Sequence, residues 1–351
     1  MPRRIPLKEL SADAFKCPAD RAAVQNLERI PLLPMLVKQF NEVALDRVLA
    51  ARTQSESIRC GPEQMRSVYG LLLEACRALD VPRPDLYVRY GSDCNALTTG
   101  VQRPAVILHS ELIDQFTDEE LLFVIGHELG HIRSEHILYQ MLGRVLLPLL
   151  DMAGQATLGV GKLASYGLVS AFCEWLRQAE FTCDRAGLLA CQDPRVAYGA
   201  IMKLGGGHSR YSHEMNIDAF LEQSRAQQLG GATDGVARTL LFLTYSWQLN
   251  HPQVVHRARE LENWVVRGDY ARILDGDYPR AEGQPGYVEE TTGFRVSDRS
   301  GASPSASSGS RPSAPPPPPP QDRCPRCGVL VSPAIAFCRE CGAGLGDEEP
   351  I

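Results

Sequence analysis

Thr117-Asp118-Glu119-Glu120-Leu121-Leu122-Phe123-Val124-Ile125-Gly126-His127-Glu128-Leu129-Gly130-His131 carries its own start signal and, near its end, a pair of metal-ligand side chains. Thr117 with Glu120 three residues on is a capping box, so a helix is predicted to begin there and to run past Ile132. Residues i and i+4 share one helix face, which lets the imidazoles of His127 and His131 reach one zinc ion at about 2.0–2.1 Å. Glu128, beside His127, can then aim at the attacking water and serve as general base. Zinc that lowers the pKa of water and polarises a carbonyl, next to a base that passes a proton to the leaving amine, makes an amide hydrolase.

A catalytic zinc keeps three protein ligands and one open position. A further histidine at the metzincin spacing is missing, because position 137 is Ile and Ser134 replaces the expected Gly. His136 falls one residue early and reads as a surface histidine. Glu180, on a second predicted helix, is the preferred third ligand. Asp184 lies four residues on and on the same face, placed to accept a hydrogen bond from a ligand imidazole and fix its tautomer. Glu174 is the rival ligand, with Gln178 instead of a carboxylate at i+4. Cys183 is read as an inert small hydrophobe.

Around this centre the 351 residues allow one catalytic domain and a smaller appendage. Thirty-six Lys and Arg against forty-two Asp and Glu give a net charge of -6, so no global basic field exists to hold nucleic acid. Amphipathic helices are predicted over Leu27 to Ala51 and Pro62 to Leu79. Strands are predicted at Leu86 to Tyr90 and Ala105 to His109, with a third short one within Asp93 to Gly100. Further helices are expected over Phe172 to Ala190, Gly235 to Leu249 and Val254 to Arg267. The apolar stretch Val145 to Cys173 is cut by Asp151 and Lys162 into pieces far short of the roughly 18 to 20 residues of a spanning helix, and reads as two packed or interfacial helices.

Eleven cysteines split into seven scattered ones, read as buried thiols in a reducing compartment, and four near the C-terminus. Between Ser300 and Pro320 almost every residue is Ser, Gly, Ala or Pro, ending in six prolines. Such a segment buries too little apolar area to offset its ordering entropy and is read as a linker. Beyond it, Cys324-Pro325-Arg326-Cys327 and Cys338-Arg339-Glu340-Cys341 are two CxxC knuckles whose four thiolates suit a tetrahedral structural zinc. Few positive charges accompany them, so protein contact is the expected use of this module.

Several separated motifs give the chain a family likeness. Asn95-Ala96-Leu97-Thr98-Thr99-Gly100, the stretch Asp118 to His131, Arg177 to Asp184, and His251-Pro252 with Arg257 resemble, in this order, the gluzincin family that includes HtpX-like, Oma-like and type-I CAAX prenyl proteases. The likeness covers roughly Pro82 to Val266. It implies that His127, His131 and Glu180 bind the catalytic zinc, that Glu128 is the base and that Asp184 supports the ligands. It also implies that Asn95 lies on an edge strand to which substrate adds its backbone, and that His251 approaches the active site to stabilise the oxyanion or gate access. The C-terminal module resembles the short zinc ribbons appended to many bacterial proteins.

The expectation is therefore an α+β, mainly α chain. A zincin-type metallopeptidase domain with a small sheet flanking the active-site helix occupies residues 1–275 (motif core 82–266), a disordered linker 276–322, and a separate zinc ribbon 323–345. The expected activity is zinc-dependent endopeptidase with two zinc ions, one catalytic and one structural. The alternative is a proteolytically latent peptide-binding scaffold that recruits partners through the ribbon. Protein or peptide is the expected substrate and nucleic acid is not an expected partner. With no secretory h-region at the N-terminus, the location is expected to be cytoplasmic, with the cytoplasmic membrane face as the alternative.

Overall fold

The computed structural model describes residues 4–29, 45–143, 160–207, 209–226, 254–284, 286–288, 322–323 and 330–331. In chain order the elements are α1 (Pro18–Glu28), α2 (Leu45–Glu56), β1 (Ser57–Arg59), α3 (Arg66–Leu79), β2 (Asp85–Arg89), β3 (Ala96–Thr99) and β4 (Ala105–His109). They continue with α4 (Ser110–Gln115), α5 (Asp118–Arg133), α6 (Val160–Cys191), α7 (Pro194–Gly206), α8 (Ile217–Ala226), α9 (Val254–Val266) and α10 (Asp269–Leu274). The architecture is mainly helical with one small mixed sheet, as expected from the sequence. By its internal contacts the chain divides into two units, Met1–Ser297 and Asp298–Ile351. In the second, β5 (Asp322–Arg323) pairs antiparallel with β6 (Leu330–Val331).

The sheet has the order β1-β2-β4-β3. Strands β2 and β4 run parallel in the register Val88↔Leu108, and β3 lies antiparallel to β4 with Leu97 opposite Ile107. The central strands bury Leu86, Val88, Val106 and Leu108 against α3, whose Val68, Leu72, Ala75, Cys76 and Leu79 recur at helical spacing. β3 closes one edge of the sheet, so one row of its backbone groups faces away from β4.

α5 is buried on every side from Glu120 to His131, and its capping box is formed: Thr117 Oγ1 accepts from the Glu120 amide while Glu120 Oε2 accepts from the Thr117 amide. A helix so enclosed belongs to the core, and glycines make room for it. A Cβ at Gly126 would meet Ala190 Cβ at 2.3 Å, and one at Gly130 would meet Ala186 Cβ at 2.7 Å. α5 and α6 therefore run antiparallel in close contact, which brings the His127 turn of one beside the Glu180 turn of the other.

Two expectations about helices change. The predicted helix Leu27 to Ala51 is interrupted near its start, since α1 ends at Glu28 with Arg29 as its C-cap; residues 30–44 lie outside the described residues and α2 covers Leu45–Glu56. The predicted break near Phe172 is absent, because α6 runs uninterrupted for 32 residues. Its sequence holds no proline or helix-terminating glycine motif. The expected helix Gly235 to Leu249 and residues 144–159 lie outside the described residues. None of the described helices is long and apolar enough to cross a membrane.

Candidate metal centre

The helical spacing of His127 and His131 does what it predicts, for both rings are buried on the side of α5 that faces α6. His127 Nε2 lies 3.5 Å from Glu180 Oε2, and His131 Nε2 lies 3.5 Å from Glu180 Oε1. Two nitrogens thus flank the two oxygens of one carboxylate. Around a tetrahedral zinc with bonds of about 2.0–2.1 Å, neighbouring donor atoms stand about 3.3 Å apart. The donor set is accordingly spaced as ligands to a common ion would be. Glu174, the rival, is instead engaged at the helix surface with Arg177 and Gln178.

The far nitrogen of His127 is anchored. Its Nδ1 lies 3.0 Å from Asp184 Oδ1, and Arg257 grips that carboxylate through Nε to Oδ2 at 2.8 Å and Nη2 to Oδ1 at 2.6 Å. Burial alone would raise the Asp184 carboxyl, but the Arg257 guanidinium and the hydrogen bonds outweigh it and hold the group below its usual value. Asp184 therefore stays ionised and favours the His127 tautomer with its proton on Nδ1, which presents the Nε2 lone pair to Glu180. Burial pushes the His127 imidazole below the ordinary histidine value, which favours its neutral form. Arg257 also approaches Glu180, with Nη1 3.4 Å from Oε2. The sequence motif contains Arg257, but its partner could not be read from spacing because α9 is 73 residues from Asp184.

Glu128 is buried and its carboxylate is held from the sheet. Thr98 Oγ1, on β3, lies 2.5 Å from Glu128 Oε2. The sequence reading missed Thr98; alternation along β3 puts it on the same side as Ala96, but only the packing of β3 over α5 gives it a target. A cleft of about 240 Å³ is lined by Asn95, Leu97, Thr98, Glu128, His131 and Glu180. Asn95, immediately before β3, is thus brought to the cleft together with base and ligands. His251 and the ribbon cysteines Cys324, Cys327, Cys338 and Cys341 lie outside the described residues.

His136 corrects an expectation, being fully enclosed and not at the surface (1 % exposed). The helix does not continue past Arg133: Glu135 adopts a left-handed conformation (φ 61°) and turns the chain, returning His136 to His131. The two Nδ1 atoms are 3.3 Å apart. Cys183 also lies at the centre, its ligand atom within 4.8 Å of those of His127 and His131, with Sγ 3.7 Å from His136 Nδ1. Burial, reinforced by the Glu180 carboxylate, pushes its thiol well above the ordinary value.

The profile of peptidase family M48 matches residues 62–265. The plastoglobule-localized metallopeptidase 48 of Arabidopsis thaliana is 33% identical over 269 residues, covering 76% of this chain and 76% of that protein. A protease HtpX homolog from Thermoanaerobacter pseudethanolicus is 25% identical over 273 residues, covering 68% of this chain and 86% of the relative. Another from Syntrophotalea carbinolica is 24% identical over 245 residues, 63% of this chain and 82% of the relative. No solved structure matches the chain significantly.

Proposed function

Since the chain belongs to peptidase family M48 and is a zinc metalloprotease, we propose that His127, His131 and Glu180 hold its catalytic zinc and that Glu128 is the general base. The observation that carries this reading is the convergence of two imidazole nitrogens on one carboxylate, each at 3.5 Å, from two antiparallel helices. Glu180 is preferred over Cys183 as third ligand because its two oxygens face the nitrogens that His127 presents opposite Asp184, whereas Cys183 Sγ rests against His136.

Zinc, when bound, supplies a Lewis acid that polarises the scissile carbonyl and lowers the pKa of water. The protein's own groups do the rest. Thr98 occupies Oε2 of Glu128, which leaves Oε1 to take the proton from the attacking water and deliver it to the leaving amine. Asp184 and Arg257 keep the His127 ring oriented. Substrate is a peptide or protein, and its backbone adds to the open edge of β3, whose Leu97 and Thr98 line the cleft. The Asn95 amide steadies the developing oxyanion, and His251 assists it from the segment before α9.

Residues 1–275 form the catalytic domain in this reading, and Cys324, Cys327, Cys338 and Cys341 bind a structural zinc in a ribbon of residues 323–345 that contacts a protein partner. A cytoplasmic setting is proposed from the free, mostly buried cysteines among the described residues, which suit a reducing compartment. Cell fractionation separates it from attachment to a membrane face; the name of the Arabidopsis relative places that protein at the plastoglobule.

The test measures metal content and cleavage of unfolded casein by the full chain and by Glu128→Gln. The wild type should carry zinc and cut. The variant should retain zinc and lose about 10²- to 10⁴-fold in rate, the contribution of a positioned general base. Undiminished cutting by Glu128→Gln would overturn the assigned role, and stoichiometric peptide binding without cleavage by the wild type would point to a latent scaffold.

A further inference from the structure

His131 has an anchoring chain of its own, and it begins in the N-terminal helix. His131 Nδ1 lies 3.3 Å from His136 Nδ1, and His136 Nε2 lies 3.0 Å from Asp20 Oδ2 on α1. Asp20, His136 and His131 are 0 %, 1 % and 2 % exposed, so water does not compete for these bonds. Two features bring Asp20 into place. α1 docks through Ala23 and Leu27 onto Phe172, Trp175 and Ala179 of α6. Thr182 Oγ1, on the same α6, donates to Asp20 Oδ2 at 2.7 Å and accepts from the Cys17 amide at 3.0 Å.

The proton positions follow from the order of partners. A buried carboxylate accepts only, so His136 must donate to it through Nε2–H. A neutral imidazole then keeps its Nδ1 as an acceptor, and of the two groups that face it, Cys183 Sγ at 3.7 Å and His131 Nδ1 at 3.3 Å, the nearer and stronger donor is His131 with its proton on Nδ1. That leaves the lone pair of His131 on Nε2, the atom 3.5 Å from Glu180 Oε1. Gln140 reaches the same His131 Nδ1 at 3.1 Å, and its amide, with oxygen and nitrogen exchanged, accepts that proton as well.

We infer that Asp20, acting through His136, is a positioning residue of the metal centre: it fixes the tautomer and ring orientation of His131, as Asp184 does for His127. α1 lies outside the residues 62–265 that match the family profile, so a segment of this chain beyond the family domain completes the second anchoring arm. Stability alone does not account for the pair. Both partners of a buried hydrogen bond can be replaced by apolar groups of like shape at little cost in stability, and Asp20 Oδ1 has no hydrogen-bond partner among the described residues.

The inference rests on the reading of His131 as a metal ligand, and the experiment separates the two. Cobalt(II) is titrated into the metal-free full chain, and the ligand-field bands of a thiolate-free site are followed apart from the sulfur charge-transfer bands of the ribbon. Asp20→Asn and the double variant Asp20→Leu/His136→Phe, which removes both polar partners together, are compared with Leu27→Ala, which loosens α1 without touching the relay. Both relay variants are expected to bind about 10- to 100-fold more weakly, the usual effect of losing an outer partner of a ligand histidine. Leu27→Ala should lower the unfolding midpoint and keep cobalt affinity within about two-fold, an upper limit set by additivity between separated sites. A folded double variant, or a folded Asp20→Asn, that binds as tightly as wild type overturns the inference. A loss produced by Gln140→Leu and not by the relay variants assigns the anchoring to Gln140 and overturns it too. If the wild type shows no thiolate-free site, the proposed ligand set itself fails.

Discussion

Gly126→Ala tests the idea that the metal centre depends on how closely two helices approach. A methyl group at Gly126 would meet Ala190 Cβ at 2.3 Å, Gly187 Cα at 3.1 Å and the Ala186 carbonyl oxygen at 3.3 Å. None of these atoms can rotate away, because all belong to the α6 backbone or to a Cβ fixed by it. An ordinary carbon contact is about 3.5 Å or more, so α5 and α6 must part by about 1 Å. The adjacent residue is His127, whose Nε2 now stands 3.5 Å from Glu180 Oε2. Parting the helices stretches that spacing by a similar amount, beyond the roughly 0.5 Å tolerance of a preorganised site. Overpacking costs about 1–3 kcal/mol, while replacing a mid-helix glycine with alanine returns about 1 kcal/mol. At the upper end of that cost, the net loss is about 2 kcal/mol. In a domain of this size the unfolding midpoint should fall by about 4–8 °C, and zinc should bind more weakly in chelator competition. Ala190→Gly in the same chain removes the nearest obstacle and should restore part of both losses, a coupling readable as a double-mutant cycle. A Gly126→Ala protein with unchanged midpoint and unchanged zinc affinity would refute the reasoning.

Thr98→Val deletes the hydroxyl on Glu128 while keeping the side chain's shape. A hydrogen bond to a charged group contributes about 1.5–3 kcal/mol, so kcat should drop at least about ten-fold with KM within about two-fold, and Thr98→Ser should recover most of it; steady-state kinetics with a quenched peptide decides, and an unchanged kcat dismisses the contact. The Asp184 carboxyl lies below its unfolded value of about 3.9, so its pairing is fully present above that pH and is lost as pH falls through the lower folded value. Removing the guanidinium in Arg257→Gln leaves burial to raise that carboxyl, and the acid-unfolding midpoint of the metal-free protein, followed by circular dichroism, should move to higher pH; a midpoint that stays or moves down contradicts the assignment. Stripping zinc with a chelator should abolish cleavage and lower the unfolding midpoint, since an ion present at about 1,000 times its Kd stabilises by about 4 kcal/mol. Equal midpoints in calorimetry with and without metal would speak against the site.

Local signals made much of the centre legible in the sequence. The capping box fixes where α5 begins, the four-residue interval puts His127 and His131 on one face, and the same interval puts Glu180 beside Asp184 on α6. These are statements about 3.6 residues per turn, and they hold wherever the helix is placed. The error over His136 has the opposite origin. The surface reading followed from His136 falling one residue short of the metzincin ligand spacing, whereas one left-handed residue, Glu135, turns the chain and buries the ring.

Helical spacing and motif order thus carry the family chemistry: the side chains proposed to bind metal, the one proposed to move a proton, and the helices that hold them. The supporting set comes from packing instead: Thr98 on Glu128, Arg257 on Asp184, and Asp20 with His136 on His131. The physical reason is that ligands one turn apart are positioned by the helix's own hydrogen bonds, while their partners come from segments 30, 73 and 116 residues away along the chain. Those meetings depend on packing, through the glycines that let α5 and α6 touch and the apolar face that docks α1, and packing leaves no period in the sequence.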